Sequence, residues 1–352
     1  GEAMKKRFFY WTLCLSLLLS GCGGSADPAP DVPESPPPAE TPVAAPDAPA
    51  DLSDAVFDTA QDAGRLTARY LSLTQMYSPA GQEIPISTGD STVYTSPEGQ
   101  VLLVDCGNAL GGQEVVNQLR RMDVSQIDVL VLSHPHADHI GGFCTVADAF
   151  PIGKVYTNGH EYDSQGYRDV MDKIQELDIP CEILREGDSF SFGSDVLVEV
   201  YGPAEGATQQ VAAGAQDAND CSIAMRLTYG DSSFWTSGDL YTTAEKRLAE
   251  DYGAALHTDI VKMDHHGKDT SNCKAFVEAL SPRAAVGLFD SIASQTVSAR
   301  YLASGAKIYY NFIDGAVRIS TSGDGTYDVQ TQLLRDLPSL PEPPSDGHEI
   351  LS

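Results

Sequence analysis

Basic residues are scarce in this chain. Lys and Arg number 22 against 50 Asp and Glu, a formal net charge of -28. The imbalance persists where the chain can fold: 36 acids face 19 bases between Arg65 and Arg335. Such a surface repels nucleic acid and anionic membranes on average, which disfavours long DNA as a partner without excluding a local basic groove. The N-terminal apolar run, Phe8 to Leu19, is about a dozen residues where ~20 are needed to cross a bilayer. Cysteines number seven, with no CxxC and no zinc-knuckle spacing. Five of them (Cys106, Cys144, Cys181, Cys221 and Cys273) fall in the domain. They read as small core residues, with one disulfide left open. Histidine is also rare, at eight residues.

Three of those eight crowd into one loop. Val129-Leu-Val-Leu132 reads as a buried strand, and Ser133-His134-Pro135-His136-Ala137-Asp138-His139 follows it. Neutral imidazole and carboxylate are ligands of first-row metals, and this density points to metal binding. The spacing lets His134 and His136 converge on one ion, with Asp138 and His139 turned toward a second. Gly141 and Gly142 then allow a tight turn.

His134-x-His136-x-Asp138-His139 resembles the metal motif of the metallo-β-lactamase superfamily. The wider run, Leu132 to Gly142, is similar to the hydrolase domain of ComEC-type competence proteins and their free-standing relatives. The resemblance extends in order over about Leu66 to Val329. It implies an α/β fold, a four-layer αβ/βα sandwich. Asp105, closing the apolar run Val101–Val104, matches a carboxylate that hydrogen-bonds beside the metal loop. Gly238-Asp239 resembles the motif whose carboxylate bridges two metals. His265-His266-Gly267 resembles the segment that completes the metal shell, with His265 favoured as ligand, His266 as substrate-facing, and the reverse order open.

Two departures stand out. The histidine many members carry before Ser222 is absent. Asn219, Asp220 or water stands in for it, and Cys221 reads as core rather than thiolate ligand. The Ser expected after His-His-Gly is Lys268, and Ser294-Gln295-Thr296-Val297 replaces a His-Pro. These changes leave metal binding intact and put the substrate class in doubt. His160 is a weaker candidate for the cleft wall, and His257 and His348 read as solvated.

The ends read differently from the middle. Gly1-Glu2-Ala3 is set aside as an upstream start or cloning scar. Residues 1–22 read as a signal peptide: Met4-Lys-Lys-Arg7, the apolar run, then Leu19-Ser-Gly-Cys22 resembling a lipobox with Cys22 as the lipidated residue. That implies a bacterial lipoprotein anchored at the extracytoplasmic membrane face. Residues 23–64 form an acidic linker with nine prolines between Pro28 and Pro49 and no Lys or Arg from Ala26 to Asp62. Residues 65–335 form the hydrolase domain, and 336–352 a disordered tail.

Within the domain, turn residues Ser96–Gly99 separate two strands, and Val115, Val116, Leu119 and Met122 mark one helix face over Gly112–Met122. Ala204–Ala218 reads as a flexible insertion that could cover the site. The chemistry expected is a binuclear-metal hydrolase, most readily a nuclease-like phosphodiesterase. Two divalent ions, Zn²⁺ by default or Mn²⁺, would sit about 3.5–4 Å apart and supply hydroxide near neutral pH. Asp138 would orient the nucleophile, and His266 or Lys268 would steady the developing charge. The alternatives are a lactone or other ester hydrolase, or a non-catalytic metal- or ligand-binding lipoprotein. No protein partner is expected.

Overall fold

The computed structural model describes residues 53–77, 82, 84–212, 217–334 and 347–352. Two sheets form its centre. The first has nine strands, in spatial order His348–Leu351, Tyr327–Thr331, Val317–Thr321, Leu66–Tyr70, Thr92–Thr95, Val101–Val104, Val129–Leu132, Val155–Thr157 and Cys181–Ile183. The second has seven: Lys307–Tyr310, Ala284–Gly287, Ile260–Lys262, Ser232–Thr236, Ala224–Tyr229, Val196–Gly202 and Ser189–Phe192.

The period-two rule of strands explains the layering. Leu102 and Val104 face Val198, Leu227, Phe234 and Ile260 of the other sheet in one buried cluster. Val101 and Leu103, one residue out of phase, pack with Val115, Leu119, Phe143 and Val170 of the outer helices. The second sheet repeats the pattern: Phe234 and Ile260 face inward, whereas Trp235 and Val261 pack with Leu248, Phe276 and Tyr301. Strands buried on both faces must be apolar throughout, which is why Val101–Val104 and Val129–Leu132 do not alternate. The result is helix, sheet, sheet, helix, as expected.

Each sheet has a parallel part. Val101–Val104, Val129–Leu132 and Val155–Thr157 run parallel, as do Ser232–Thr236, Ile260–Lys262 and Ala284–Gly287. The loops after their C-terminal ends carry Asp105, His134 to His139, Asp239, and His265 with His266.

Two boundaries differ from expectation. The helix Ser53–Phe57 is packed against the fold, with Val56 and Phe57 buried. Asp62 is buried too, with Oδ2 2.6 Å from Arg69 Nη1 and Oδ1 3.3 Å from Arg318 Nη2. Two buried guanidiniums need that carboxylate, so residues 53–64 belong to the folded unit rather than the linker. At the other end, His348–Leu351 pairs antiparallel with Tyr327–Thr331, so the last residues extend the sheet instead of fraying. The segment 204–218 contains the helix Ala207–Ala212 and leads into a buried 3-10 turn, Ala218–Cys221. All five domain cysteines are free thiols. Cys22 lies outside the described residues. Among the described residues no helix is long and apolar enough to cross a membrane.

Candidate metal centre

The loop after Val129–Leu132 is held from below by one carboxylate. Asp105 takes a left-handed φ of 60°, which turns its side chain under the loop. Its Oδ1 accepts from Ser133 N at 2.8 Å, and its Oδ2 accepts from Ser133 Oγ at 2.6 Å. The same Oδ2 lies 2.8 Å from His139 Nδ1. A carboxylate accepts only, so His139 carries its proton on Nδ1 and presents Nε2 to the interior of the site. The Ser133 hydroxyl donates to Asp105, so its oxygen accepts from His134 Nδ1 at 3.1 Å. His134 Nε2 is thereby also left facing inward.

The second sheet supplies the opposite wall. Asp239 follows Gly238, whose φ is 54°; a Cβ there would meet Ser133 Oγ at 2.6 Å. His265 and His266 both have left-handed φ, 46° and 58°. This tight turn sends the two rings to different places. His266 Nδ1 faces two acceptors, Asp90 Oδ1 at 2.9 Å and the Leu288 carbonyl at 3.2 Å, so it donates. Its Nε2 lies 3.1 Å from Asp138 Oδ2 and 3.4 Å from Asp239 Oδ2. His265 Nε2 is farther from Asp239 Oδ2, at 3.7 Å, and 3.2 Å from Lys268 Nζ at the rim. By these distances His266 enters the cluster and His265 flanks it.

The remaining expected residues divide. His134 Nε2 is 3.1 Å from His136 Nδ1 and 3.9 Å from Asp239 Oδ2. Asp138 keeps a side chain 43% exposed, 4.0 Å from His139 Nε2. Asn219 and Asp220 are buried, but Asp220 Oδ1 accepts from Ala244 N at 3.4 Å, at the start of the helix Thr242–Tyr252. Asn219 Oδ1 has no hydrogen-bond partner among the described residues. The Tyr162 ring stands between two histidines, its centroid 5.3 Å from that of His136 and 6.2 Å from that of the buried His160.

Sequence reasoning missed Asp90 and Lys262. Asp90, between Gly89 and Ser91, looks like turn chemistry. Lys262 did carry a signal: a lysine in the apolar strand Ile260–Lys262 needs a buried partner. That partner is Asp90, at 2.6 Å.

The donor set fits a divalent cation. His139 Nε2 and Asp239 Oδ1 lie 3.1 Å apart, both buried, and neither has a hydrogen bond of acceptable geometry. Two such atoms side by side are what a ligand shell leaves when only protein atoms are counted. Ligand atoms of Asp90, His139, Asp239 and His266 lie within 4.8 Å of one another. The electrostatics agree. Burial opposes charge on His139, yet Asp239 and Asp105 outweigh it and lift its pKa to about 10. Burial also opposes charge on His266, and Asp239 and Asp90 hold it well above the usual value. Burial alone would raise Asp239, but His139 and His266 hold it well below the carboxylate range. The site draws positive charge inward, and a metal ion takes the place of those protons.

The family described as the metallo-beta-lactamase superfamily matches residues 85–286. The competence protein ComA of Neisseria gonorrhoeae is 27% identical over 281 residues, covering 75% of this chain and 36% of that protein. ComE operon protein 3 of Bacillus subtilis is 22% identical over 220 residues, covering 58% of this chain and 27% of that protein. The chain thus spans about a third of these relatives. Among solved structures, a metal-dependent hydrolase from Parabacteroides distasonis is 12% identical, with a TM-score of 0.41, over 68% of this chain and 98% of that one.

Proposed function

The chain belongs to the metallo-β-lactamase superfamily of metal-dependent hydrolases, and on that premise we propose that it hydrolyses phosphodiesters at a two-metal centre. The observation that carries this reading is the grouping of ligand atoms around Asp239. His139 Nε2 lies 3.1 Å from its Oδ1, His266 Nε2 and His134 Nε2 lie 3.4 and 3.9 Å from its Oδ2, and Asp138 and His136 adjoin His266 and His134 at 3.1 Å each. These six residues would hold two divalent ions, with Asp239 shared between them. When bound, such ions polarise a phosphoryl or carbonyl oxygen and lower the pKa of water toward about 7.

The chain's own residues supply the rest. Asp105 and Asp90 hold the Nδ1 protons of His139 and His266, so the inward Nε2 is the atom each ring would offer to an ion in exchange for a proton. Asp138 is half-exposed, so its carboxylate can accept a hydrogen bond from an attacking water and align it. At the rim, Lys268 Nζ and His265 stand together, and Thr270 Oγ1 lies 2.6 Å from His265 Nδ1. Of these groups the Lys268 ammonium suits an oxyanion that gains charge as the bond breaks. Two competence proteins among the relatives support a phosphodiester, while the acidic surface favours a short or surface-borne one over long DNA.

The test is hydrolysis of bis-p-nitrophenyl phosphate by purified protein with Zn²⁺ or Mn²⁺ added, beside Asp239→Ala. Turnover lost in the variant supports the proposal. Metal bound without phosphodiester turnover rejects it in favour of a lactone or ester hydrolase, or of a binding lipoprotein if no ester is cut. We also read Cys22 as lipid-modified, holding the enzyme at the extracytoplasmic membrane face. Cys22→Ser should move the protein from the membrane to the soluble fraction, and unchanged membrane association would reject that reading.

A further inference from the structure

Behind the metal centre lies a buried lysine that none of the chemistry above uses. Lys262 ends the strand Ile260–Lys262 and is 2% exposed. Its Nζ lies 2.6 Å from Asp90 Oδ2 and donates to the Gly238 carbonyl at 2.9 Å. Asp90 is equally buried, and its other oxygen accepts from His266 Nδ1 at 2.9 Å. Oδ1 of Asp90 thus accepts a hydrogen bond, while Oδ2 has the Lys262 ammonium as its ion-pair neighbour but, like Asp239 Oδ1, no hydrogen bond of acceptable geometry. On distance alone Asp90 could itself be a ligand, because it lies within 4.8 Å of the ligand atoms of His139, Asp239 and His266.

We propose that Lys262 is a positioning residue that decides this question: it holds Asp90 as the anchor of His266 and keeps it off the metal. The inference rests on the metal-centre reading above. A buried carboxylate without a partner is strongly destabilising. Without Lys262, the freed Oδ2 would find its nearest positive charge in the metal ions. Asp90 would turn toward them and release His266 Nδ1, which would lose its fixed tautomer. The second bond of Lys262 strengthens the case. It grips the carbonyl just before Asp239, so one ammonium ties the shared carboxylate to the His266 anchor. Asp90 comes from the loop before Thr92–Thr95 of the first sheet, and Lys262 from the second. The ion pair therefore also sets the register between the two walls.

Co²⁺ binding to the full chain tests this without any substrate. Wild type, Lys262→Met and the double variant Lys262→Met/Asp90→Asn are compared by visible absorption and by affinity against a chelator. In Lys262→Met the ligand-field bands should move and the affinity change by about tenfold or more, in the range usual for groups that orient a ligand. In the double variant the side-chain amide at position 90 can still accept from His266 Nδ1 but is a poor ligand, so the bands should return toward wild type. Wild-type bands and affinity in Lys262→Met overturn the proposal. So does a double variant displaced as far as the single one. Should Lys262→Met fail to fold, Lys262→Gln keeps a donor without the charge; shifted bands support the role and unchanged bands overturn it. Absence of Co²⁺ binding by wild type would instead reject the metal centre itself.

Discussion

Asp105 Oδ2 lies 2.8 Å from His139 Nδ1, and the same carboxylate holds Ser133, which in turn accepts from His134. One side chain thus sets the tautomer of two imidazoles that face the metal centre. Asp105→Ala should weaken metal binding by about 10–100-fold, with a smaller loss for Asp105→Asn, which keeps one acceptor. Isothermal titration of chelator-treated protein with Zn²⁺ measures it. Unchanged affinity would mean that Asp105 only braces the loop.

The metal-free protein should respond to pH in a defined way. Burial opposes charge on His139, but Asp239 and Asp105 raise its pKa from 6.5 to about 10. The folded value lies above the unfolded one. The stabilisation is therefore complete below pH ~6.5 and is lost as pH rises through about 10. Asp90 has the opposite sign. Burial would raise it, but His266 and Lys262 bring it from 3.8 to about 2, so its contribution is present above pH ~3.8 and fades as pH falls through about 2. From these two groups, chelated protein should be most stable at about pH 4–6.5 and decline toward pH 10. Metal should abolish the alkaline decline, because the ion replaces the His139 proton. Thermal melts with and without chelator across pH 4–10 check this; parallel curves would count against it.

Gly89 has a φ of 102°, and a Cβ there would fall 1.9 Å from the Asp138 carbonyl. That carbonyl already accepts from Asp90 N at 3.0 Å. Gly89→Ala should cost about 2–4 kcal/mol, from backbone strain and overpacking combined. The displaced loop carries Asp138, so metal affinity should fall with it. Urea unfolding and Co²⁺ titration of the same sample separate the two losses.

Asp62 stands between Arg69 and Arg318, with all three buried. Asp62→Ala leaves the buried Arg69 guanidinium without its carboxylate and Arg318 with Asp328 alone, and should cost about 3–5 kcal/mol. A chain beginning at Arg65 should show a similar loss relative to one beginning at Ser53. Equal urea midpoints for those two chains would return residues 53–64 to the linker.

Much of this protein is written locally. The two-faced apolar strands, the turn at Ser96–Gly99 and the helix face of Val115, Val116 and Leu119 follow from periodicity, which acts over a few residues. The crowding of His134, His136, Asp138 and His139 is equally local, because one loop after one strand carries all four. Gly238-Asp239 was legible only beside that loop and the family resemblance.

What the tertiary structure alone decided is long-range or conformational. His266 meets Asp90 across 176 residues of sequence, and Lys262 meets Asp90 across the gap between two sheets. No spacing rule encodes a contact made by stacking one sheet on another. The different surroundings of His265 and His266 turned on two successive left-handed φ values, which neighbouring identical residues cannot announce. The inclusion of residues 53–64 and 348–351 in the fold rests on Asp62 with its two arginines and on an added edge strand, partners supplied only once the sheets are assembled.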